Sequence, residues 1–395
     1  MKIGIVGKPN AGKSTLFNAL TLGNAKIGSY PFTTIDSNEG ISYAKIQCRC
    51  KELGVEDNPR NSLCIDGNRF IPVKIIDTAG LVPDAWRGRG LGNQFLSEIM
   101  KSDGYIHLID LSGSTDIEGR IVSDTDYIPE RDIRDIELEI IMWIANIINK
   151  NIDNVIKMVK YSKTDLEEAL NRILSGLNIR KEILSITIDE LGLKKVEELK
   201  EMDVLKRMAL SILRKGKPHI IAGNKIDSPK AQKNYEILRS KGYDVHPMSA
   251  LSEYFLKTLS KKGIIYYIPG EDKFEILKPN MLKTKEYEVL EKIREKIFKK
   301  WGGTGVQRVL DKLVFEKLGY IAVYPVADPK KLSDTKGLIL PDVYLVRKGT
   351  TLKDLAYMLH SDIGRKMRFG LNVLTGKRIP ADYVLEHRDV IYINF

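Results

Sequence analysis

Long apolar runs are missing from this 395-residue chain. None approaches the ~20 residues that a bilayer-spanning helix requires. Met1-Lys2-Ile3-Gly4 opens directly into an apolar stretch, without the leader of a signal peptide, so a soluble, cytoplasmic protein with no membrane partner is expected. Cysteine is scarce: Cys48, Cys50 and Cys64 are an odd count crowded into one segment, which excludes a disulfide framework and fits a reducing compartment. A tetrahedral zinc site would need a fourth ligand, and no histidine lies near these three. The segment therefore reads as a small hairpin extension. No internal repeat or low-complexity tract is present. Acidic residues fall short of basic ones, 52 against 63, and the net charge of +11 describes a surface attractive to polyanions such as RNA. With 43% hydrophobic and 29% charged residues, a chain of this length is an ordinary globular protein of two or three domains.

From Lys2 to Val6 an apolar run reads as a buried strand, followed by a loop rich in Gly, Pro and Asn and a helical stretch from Thr15 to Leu20. Similar runs recur at Ile71 to Ile76, Tyr105 to Ile109, His219 to Ala222 and Val245 to Met248, each followed by a short polar loop. That alternation predicts an α/β domain with a mostly parallel sheet and helices on both faces. Between Ser112 and Lys215 the strand signals stop, and Ile133, Ile136, Ile140, Ile144 and Ile147 recur at helical spacing. A helical insertion is expected there, with a second segment starting in a capping box at Thr164 and Glu167. Such stripes belong either to a helix-on-helix core or to a groove for a partner. A helix is predicted from Lys285 to Trp301, broken by Gly302-Gly303-Thr304-Gly305. Near the C-terminus, a Val343–Val346 strand, a Thr350–His360 helix and a final Val390–Ile393 strand make a small α+β domain.

The loop after the first strand, Gly7-Lys8-Pro9-Asn10-Ala11-Gly12-Lys13-Ser14, matches G-x-x-x-x-G-K-[ST] in the strand-to-helix context that motif needs. Backbone N–H groups of Asn10, Ala11, Gly12, Lys13, Ser14 and Thr15 would cradle phosphates, Lys13 would reach the β/γ oxygens, and the Ser14 hydroxyl would ligate Mg²⁺. Taken alone, the match could be a glycine-rich turn. Asp77-Thr78-Ala79-Gly80, however, follows a second strand, which offers Asp77 to the Mg²⁺ and the Gly80 N–H to the γ-phosphate. In Tyr30-Pro31-Phe32-Thr33-Thr34-Ile35, Thr34 is the residue expected to close over the metal when a γ-phosphate is present. Asn224-Lys225-Ile226-Asp227 supplies a base-reading carboxylate: Asp227 can accept two hydrogen bonds from guanine, which adenine cannot offer. Lys225 would stack along the purine and Asn224 would tie this loop to the phosphate loop. Ser249-Ala250-Leu251 would present an N–H to guanine O6.

These motifs, with Tyr30-Pro31-Phe32-Thr33-Thr34 and Gly88-Arg89-Gly90-Leu91-Gly92, resemble the Obg-related GTPases of the YchF type over nearly the whole chain. The segment from Leu340-Pro341-Asp342-Val343-Tyr344 through Gly349-Thr350-Thr351, Asp354-Leu355-Ala356 and His360 is similar to a TGS domain, a ubiquitin-like β-grasp module found in RNA- and ribosome-linked proteins. The resemblance implies a P-loop G domain at 1–111 and 216–256, a helical insertion at 112–215, a linking region at 257–337 and a TGS domain at 338–395. It also implies a GTP/GDP switch with Mg²⁺, in which Lys13, Thr34 and Gly80 serve hydrolysis. Some YchF-type proteins depart from the guanine-reading motif and take ATP; the retained Asp227 favours GTP.

Leu81 stands where Ras-like enzymes carry a water-orienting glutamine, so slow intrinsic turnover is expected. A partner's charge, or a potassium ion at Asn10 by analogy with related GTPases, could compensate. Three functions compete: a GTPase switch docking on ribosome or RNA, a protein-binding regulator working through the helical insertion, and an ATPase of the same layout. From Lys336 to Phe395, ten basic residues stand against six acidic, which fits either an RNA contact or a solvated face. The sequence leaves the oligomeric state open.

Overall fold

The computed structural model describes residues 1–22, 38–78, 80, 81, 84–87, 92–122, 127–193 and 195–395, with 92–95 described in their backbone alone. The chain divides into two units: Met1–Thr21 with Lys74–Val309, and Ile41–Val73 with Leu310–Phe395. In chain order the elements begin with β1 (Lys2–Val6), α1 (Lys13–Thr21), β2 (Glu39–Gln47), α2 (Arg49–Leu53), β3 (Leu63–Ile65), β4 (Asn68–Asp77), α3 (Gly92–Lys101) and β5 (Gly104–Asp110). Helices α4 (Glu130–Lys150), α5 (Ile152–Lys160), α6 (Leu166–Leu174), α7 (Lys181–Leu191) and α8 (Met202–Gly216) follow. The chain then returns to the sheet with β6 (His219–Asn224), α9 (Ala231–Ser240), β7 (Val245–Pro247) and α10 (Ala250–Lys261), and a two-stranded pair, β8 (Ile265–Tyr266) and β9 (Glu275–Ile276), follows.

In the first unit the strands run parallel in the order β4-β1-β5-β6-β7. All seven residues of β5 are buried, and Ile3, Ile5 and Val6 of β1 are fully so, as strands covered by helices on both faces must be. The apolar stripe of α4 is consumed by this unit's own core: Ile136, Ile140, Ile144 and Ile148 pack with Leu205, Met208 and Ile212 of α8 and with Leu96 and Tyr105. Each such side chain contributes roughly 1.5–3 kcal/mol on burial, so the stripe is core and offers no groove to a partner. Thr164 forms no capping box. Its N–H goes to the Met158 carbonyl at 3.1 Å, and α6 starts one residue later behind Asp165, which makes no cap bond.

The stretch 257–337, expected as a linking region, is divided between the units. Tyr267, Leu290, Ile293, Ile297 and Phe298 join Ile109, Leu238 and Leu256 in one core, since the apolar side chains of the Thr284–Trp301 helical segment must be covered. Its remainder carries β10 (Tyr320–Val326), which enters the five-stranded sheet of the second unit with β11 (Tyr344–Arg347), β12 (Phe369–Asn372), β13 (Lys377–Ile379) and β14 (Val390–Asn394) in the order β11-β10-β14-β12-β13. The sheet of the second unit therefore takes in one strand that precedes residue 338. Its helix Leu352–Leu359 is capped reciprocally by Thr351 and Asp354 and buries Leu352, Leu355 and Ala356 against Val323 and Ile391, a β-grasp arrangement. Ile46, Cys48, Cys50 and Ile71 pack in the same unit with Ala322, Tyr324 and Leu340. Among the described residues no helix is long and apolar enough to cross a membrane.

Candidate nucleotide-binding site

The phosphate loop leaves the carboxyl end of β1, the strand where the sheet changes direction, with β4 on one side and β5 on the other. Gly12 has φ +101°, and a Cβ there would run into Asn224 Nδ2. That amide, 3% exposed, donates to the Ala11 carbonyl at 2.8 Å while its Oδ1 accepts the Ala250 N–H at 3.0 Å. One side chain thus clamps the phosphate loop to the first turn of α10.

Lys13 opens α1 and is buried, its Nζ donating to the Lys8 carbonyl at 2.8 Å. Burial pulls its ammonium down to about 8, with the charge of Asp77 opposing. Burial also raises the Asp77 carboxyl, offset in part by the Ser14 hydroxyl and the Lys13 charge. Asp77 Oδ1 is buried with no hydrogen-bond partner, and Ser14 stands exposed on α1. A donorless carboxylate oxygen beside an exposed hydroxyl fits a hard divalent cation such as Mg²⁺. Asn10, exposed and left-handed at φ 61°, donates from Nδ2 to the Gly119 carbonyl at 2.8 Å. Ala11 is buried and Thr15 half-buried. Beyond Gly80, the Leu81 N–H bonds the Gly7 carbonyl at 3.2 Å, and its side chain, 3% exposed, turns into the core. Thr34, the rest of Tyr30–Ile35, Ala79 and Gly88–Leu91 lie outside the described residues.

At the end of β6, Lys225 adopts φ 66°, a left-handed conformation costing a long side chain about 1–2 kcal/mol. Its Nζ pairs with Asp110 Oδ2 at 2.8 Å. Burial favours the neutral Asp110, but hydrogen bonds from Lys225 and Ser112 outweigh it and hold the carboxyl below its ordinary range. Asp227 is exposed and accepts the Ser249 hydroxyl on Oδ1 at 3.1 Å. Ser249 caps α10 by accepting the Ser252 N–H, and Leu251 is 63% exposed on that first turn.

Several functional neighbours escaped sequence reasoning. Lys8, a variable position of the motif, is wholly buried, ion-paired to Asp132 Oδ1 at 3.0 Å, bonded to the Thr115 carbonyl at 2.7 Å and set over the Tyr127 ring. Asp132 also accepts the Tyr127 hydroxyl. Residues 115–119 and 132, read as part of the insertion, thus brace the phosphate loop. Thr304 accepts the Ser249 N–H at 2.8 Å, and Gly305 (φ +79°) sits where a Cβ would meet the Pro247 carbonyl. The glycines around Thr304 were the available signal; nothing in the sequence links Lys8 to Asp132.

Comparison with known proteins places three family models along the chain: "50S ribosome-binding GTPase" over residues 2–175, "Obg-like GTPase YGR210-like, G4 motif-containing domain" over 222–328, and "TGS domain" over 335–394. A GTP-binding protein of Methanocaldococcus jannaschii is 46% identical, covering 99% of this chain and 98% of its own. One from Schizosaccharomyces pombe is 34% identical over 90% and 89%. The ribosome-binding ATPase YchF of Bacillus subtilis is 34% identical over 50% of this chain and 52% of its own. The crystal structure of a GTP-binding protein from Pyrococcus horikoshii OT3 matches with TM-score 0.78 and 34% identity, covering 100% of this chain and 99% of that one.

Proposed function

The chain belongs to the Obg-like, YchF-related family of GTP-binding proteins that carry a TGS domain, and on that premise we propose that it is a GTP-selective, Mg²⁺-dependent GTPase acting as a molecular switch. The observation that carries GTP over ATP is the base loop. Asp227 keeps an exposed carboxylate held by Ser249, and Asn224 fastens that loop to the phosphate loop. A carboxylate so placed takes two donors from guanine and is left unpaired by adenine. Because relatives bear the name ATPase, the deciding experiment is competition of GTP and ATP for one fluorescent nucleotide. Equal affinities would falsify the guanine assignment.

In this mechanism the backbone of residues 10–15 binds the phosphates and Lys13 neutralises the β/γ oxygens, while Gly80 supplies an N–H to the γ-phosphate. Ser14, Asp77 and Thr34 would hold Mg²⁺, which when bound neutralises charge on the β- and γ-phosphates. Leu81, turned into the core, leaves the attacking water without a side chain at that position, and turnover is slow until a partner supplies one. Asn10 spends its amide nitrogen on Gly119, so a potassium ion would meet its oxygen. Equal turnover in KCl and NaCl removes that role.

Ribosome or RNA docking through the TGS domain and basic surface completes the proposal, supported by the names of the relatives and by the net charge of +11. Ribosome co-sedimentation of the GTP- and GDP-loaded protein tests it. Binding should depend on the nucleotide and fall steeply with salt; no association in either state refutes it.

A further inference from the structure

The hairpin between β2 and β4 gathers the three cysteines around a side chain that sequence spacing does not single out. Cys48 ends the turn after β2, Cys50 lies in α2, Cys64 lies in β3, and Asp57 reaches them from the loop between. The three sulfurs and one Asp57 oxygen all fall within 4.8 Å of one another. Cys50 Sγ and Cys64 Sγ are 3.8 Å apart, and Cys48 Sγ stands 3.2 Å from Asp57 Oδ2. A tetrahedron with Zn–S bonds of ~2.3 Å has sulfur–sulfur edges of about 3.8 Å, and replacing one sulfur by a carboxylate oxygen shortens that edge to about 3.6 Å. Cys48 and Cys50 are buried, and the Asp57 side chain is 9% exposed.

We propose that Cys48, Cys50, Asp57 and Cys64 form a structural zinc site that clips the hairpin of the second unit. The objection that three cysteines leave a tetrahedron one ligand short is met by Asp57. Charge and outer contacts fit as well. Three thiolates and a carboxylate exceed the two charges of zinc by two, and the wholly buried Arg69 guanidinium, 2.5 Å from Asp57 Oδ2, cancels one of these. Arg69 is itself fixed by the Leu340 and Pro341 carbonyls at 2.6 and 3.1 Å, the kind of outer partner that orients a ligating carboxylate. The clip has a structural object. The loop it closes bonds Asn58 N–H to the Ile339 carbonyl and Arg60 N–H to the Pro341 carbonyl, both at 2.8 Å, and Asn61 exchanges two bonds with Val343 at 3.0 Å. Zinc would hold this irregular segment, which has little regular pairing of its own, against the entry to the C-terminal domain.

The test uses the full chain, made without a polyhistidine tag and kept reduced, with zinc and cobalt chlorides as probes. One zinc per chain is expected by elemental analysis. One equivalent of cobalt should give thiolate charge-transfer absorption and the intense visible bands of a tetrahedral ion. Asp57→Asn should keep the charge-transfer bands, alter the visible bands and weaken zinc binding by about tenfold or more; Cys64→Ser should lose stoichiometric metal. Far-ultraviolet circular dichroism of the full chain, measured in parallel, reports that the variants are folded. Reduced wild-type protein that takes up neither zinc nor tetrahedral cobalt overturns the proposal, and so does metal bound unchanged in both variants. Should Cys64→Ser fail to fold, the wild-type cobalt spectrum and Asp57→Asn decide. A Cys50–Cys64 disulfide in unreduced protein, whose two thiols remain free of metal once the bond is reduced in the presence of zinc, also overturns it.

Discussion

Lys13 should couple nucleotide binding to proton uptake. Burial holds its ammonium at about 8 against the ordinary 10.5, and phosphate oxygens arriving around Nζ favour the charged form. The sign follows directly. Below pH 8 the free protein already carries the charge, so affinity is flat; above pH 8 binding must recruit a proton, and affinity falls as pH rises. At pH 9 a group with pKa about 8 is roughly nine-tenths neutral. Binding should then take up about 0.9 proton and weaken about tenfold relative to pH 7, ~1.4 kcal/mol. Calorimetric titration with GDP in buffers of different ionisation enthalpy measures both quantities. Lys13→Arg supplies the control, because a guanidinium stays charged throughout: it should bind more weakly overall yet lose the slope, whereas a slope arising from ionisation of the guanine would survive. Affinity that is level from pH 7 to 9 with no proton uptake refutes the reasoning.

Asp227→Asn removes the charged acceptor for guanine and should weaken GTP by roughly 2–4 kcal/mol while leaving ATP nearly unchanged, read by nucleotide competition. Asp132→Leu strands the buried Lys8 ammonium and should cost the first unit about 3–5 kcal/mol, most of it recovered in Lys8→Met/Asp132→Leu. Urea unfolding followed by tryptophan emission isolates that unit, since Trp86, Trp143 and Trp301 all lie in it; a double variant no more stable than the single one argues against the pair. Leu81→Gln should not accelerate hydrolysis, because its side chain is 3% exposed, and should destabilise by about 1–3 kcal/mol through an unsatisfied buried amide. A single-turnover rate that rises tenfold would show that the position can reach the attacking water.

Much of this protein is legible without a structure, because its information is local. Each parallel strand declares itself as an apolar run ending in a polar loop, and β1, β5 and β6 fall where those runs stand. The phosphate and base motifs are contiguous strings whose chemistry depends on a few neighbours in sequence. The Leu352–Leu359 helix is marked by its own capping pair, Thr351 and Asp354. Where local pattern misled, at Thr164, the adjacent Asp165, a residue of higher capping propensity, takes the position before the helix.

Contacts across long sequence separations belong to the tertiary structure alone. That β10 pairs with β14, that Asp132 neutralises Lys8, that Thr304 holds the base loop and that Asp57 turns toward three cysteines are decided only when distant segments are packed together. A buried charge or a cluster of thiols carries no periodicity. Its partner is set by desolvation, which makes an unpaired polar group costly wherever the fold happens to bury it.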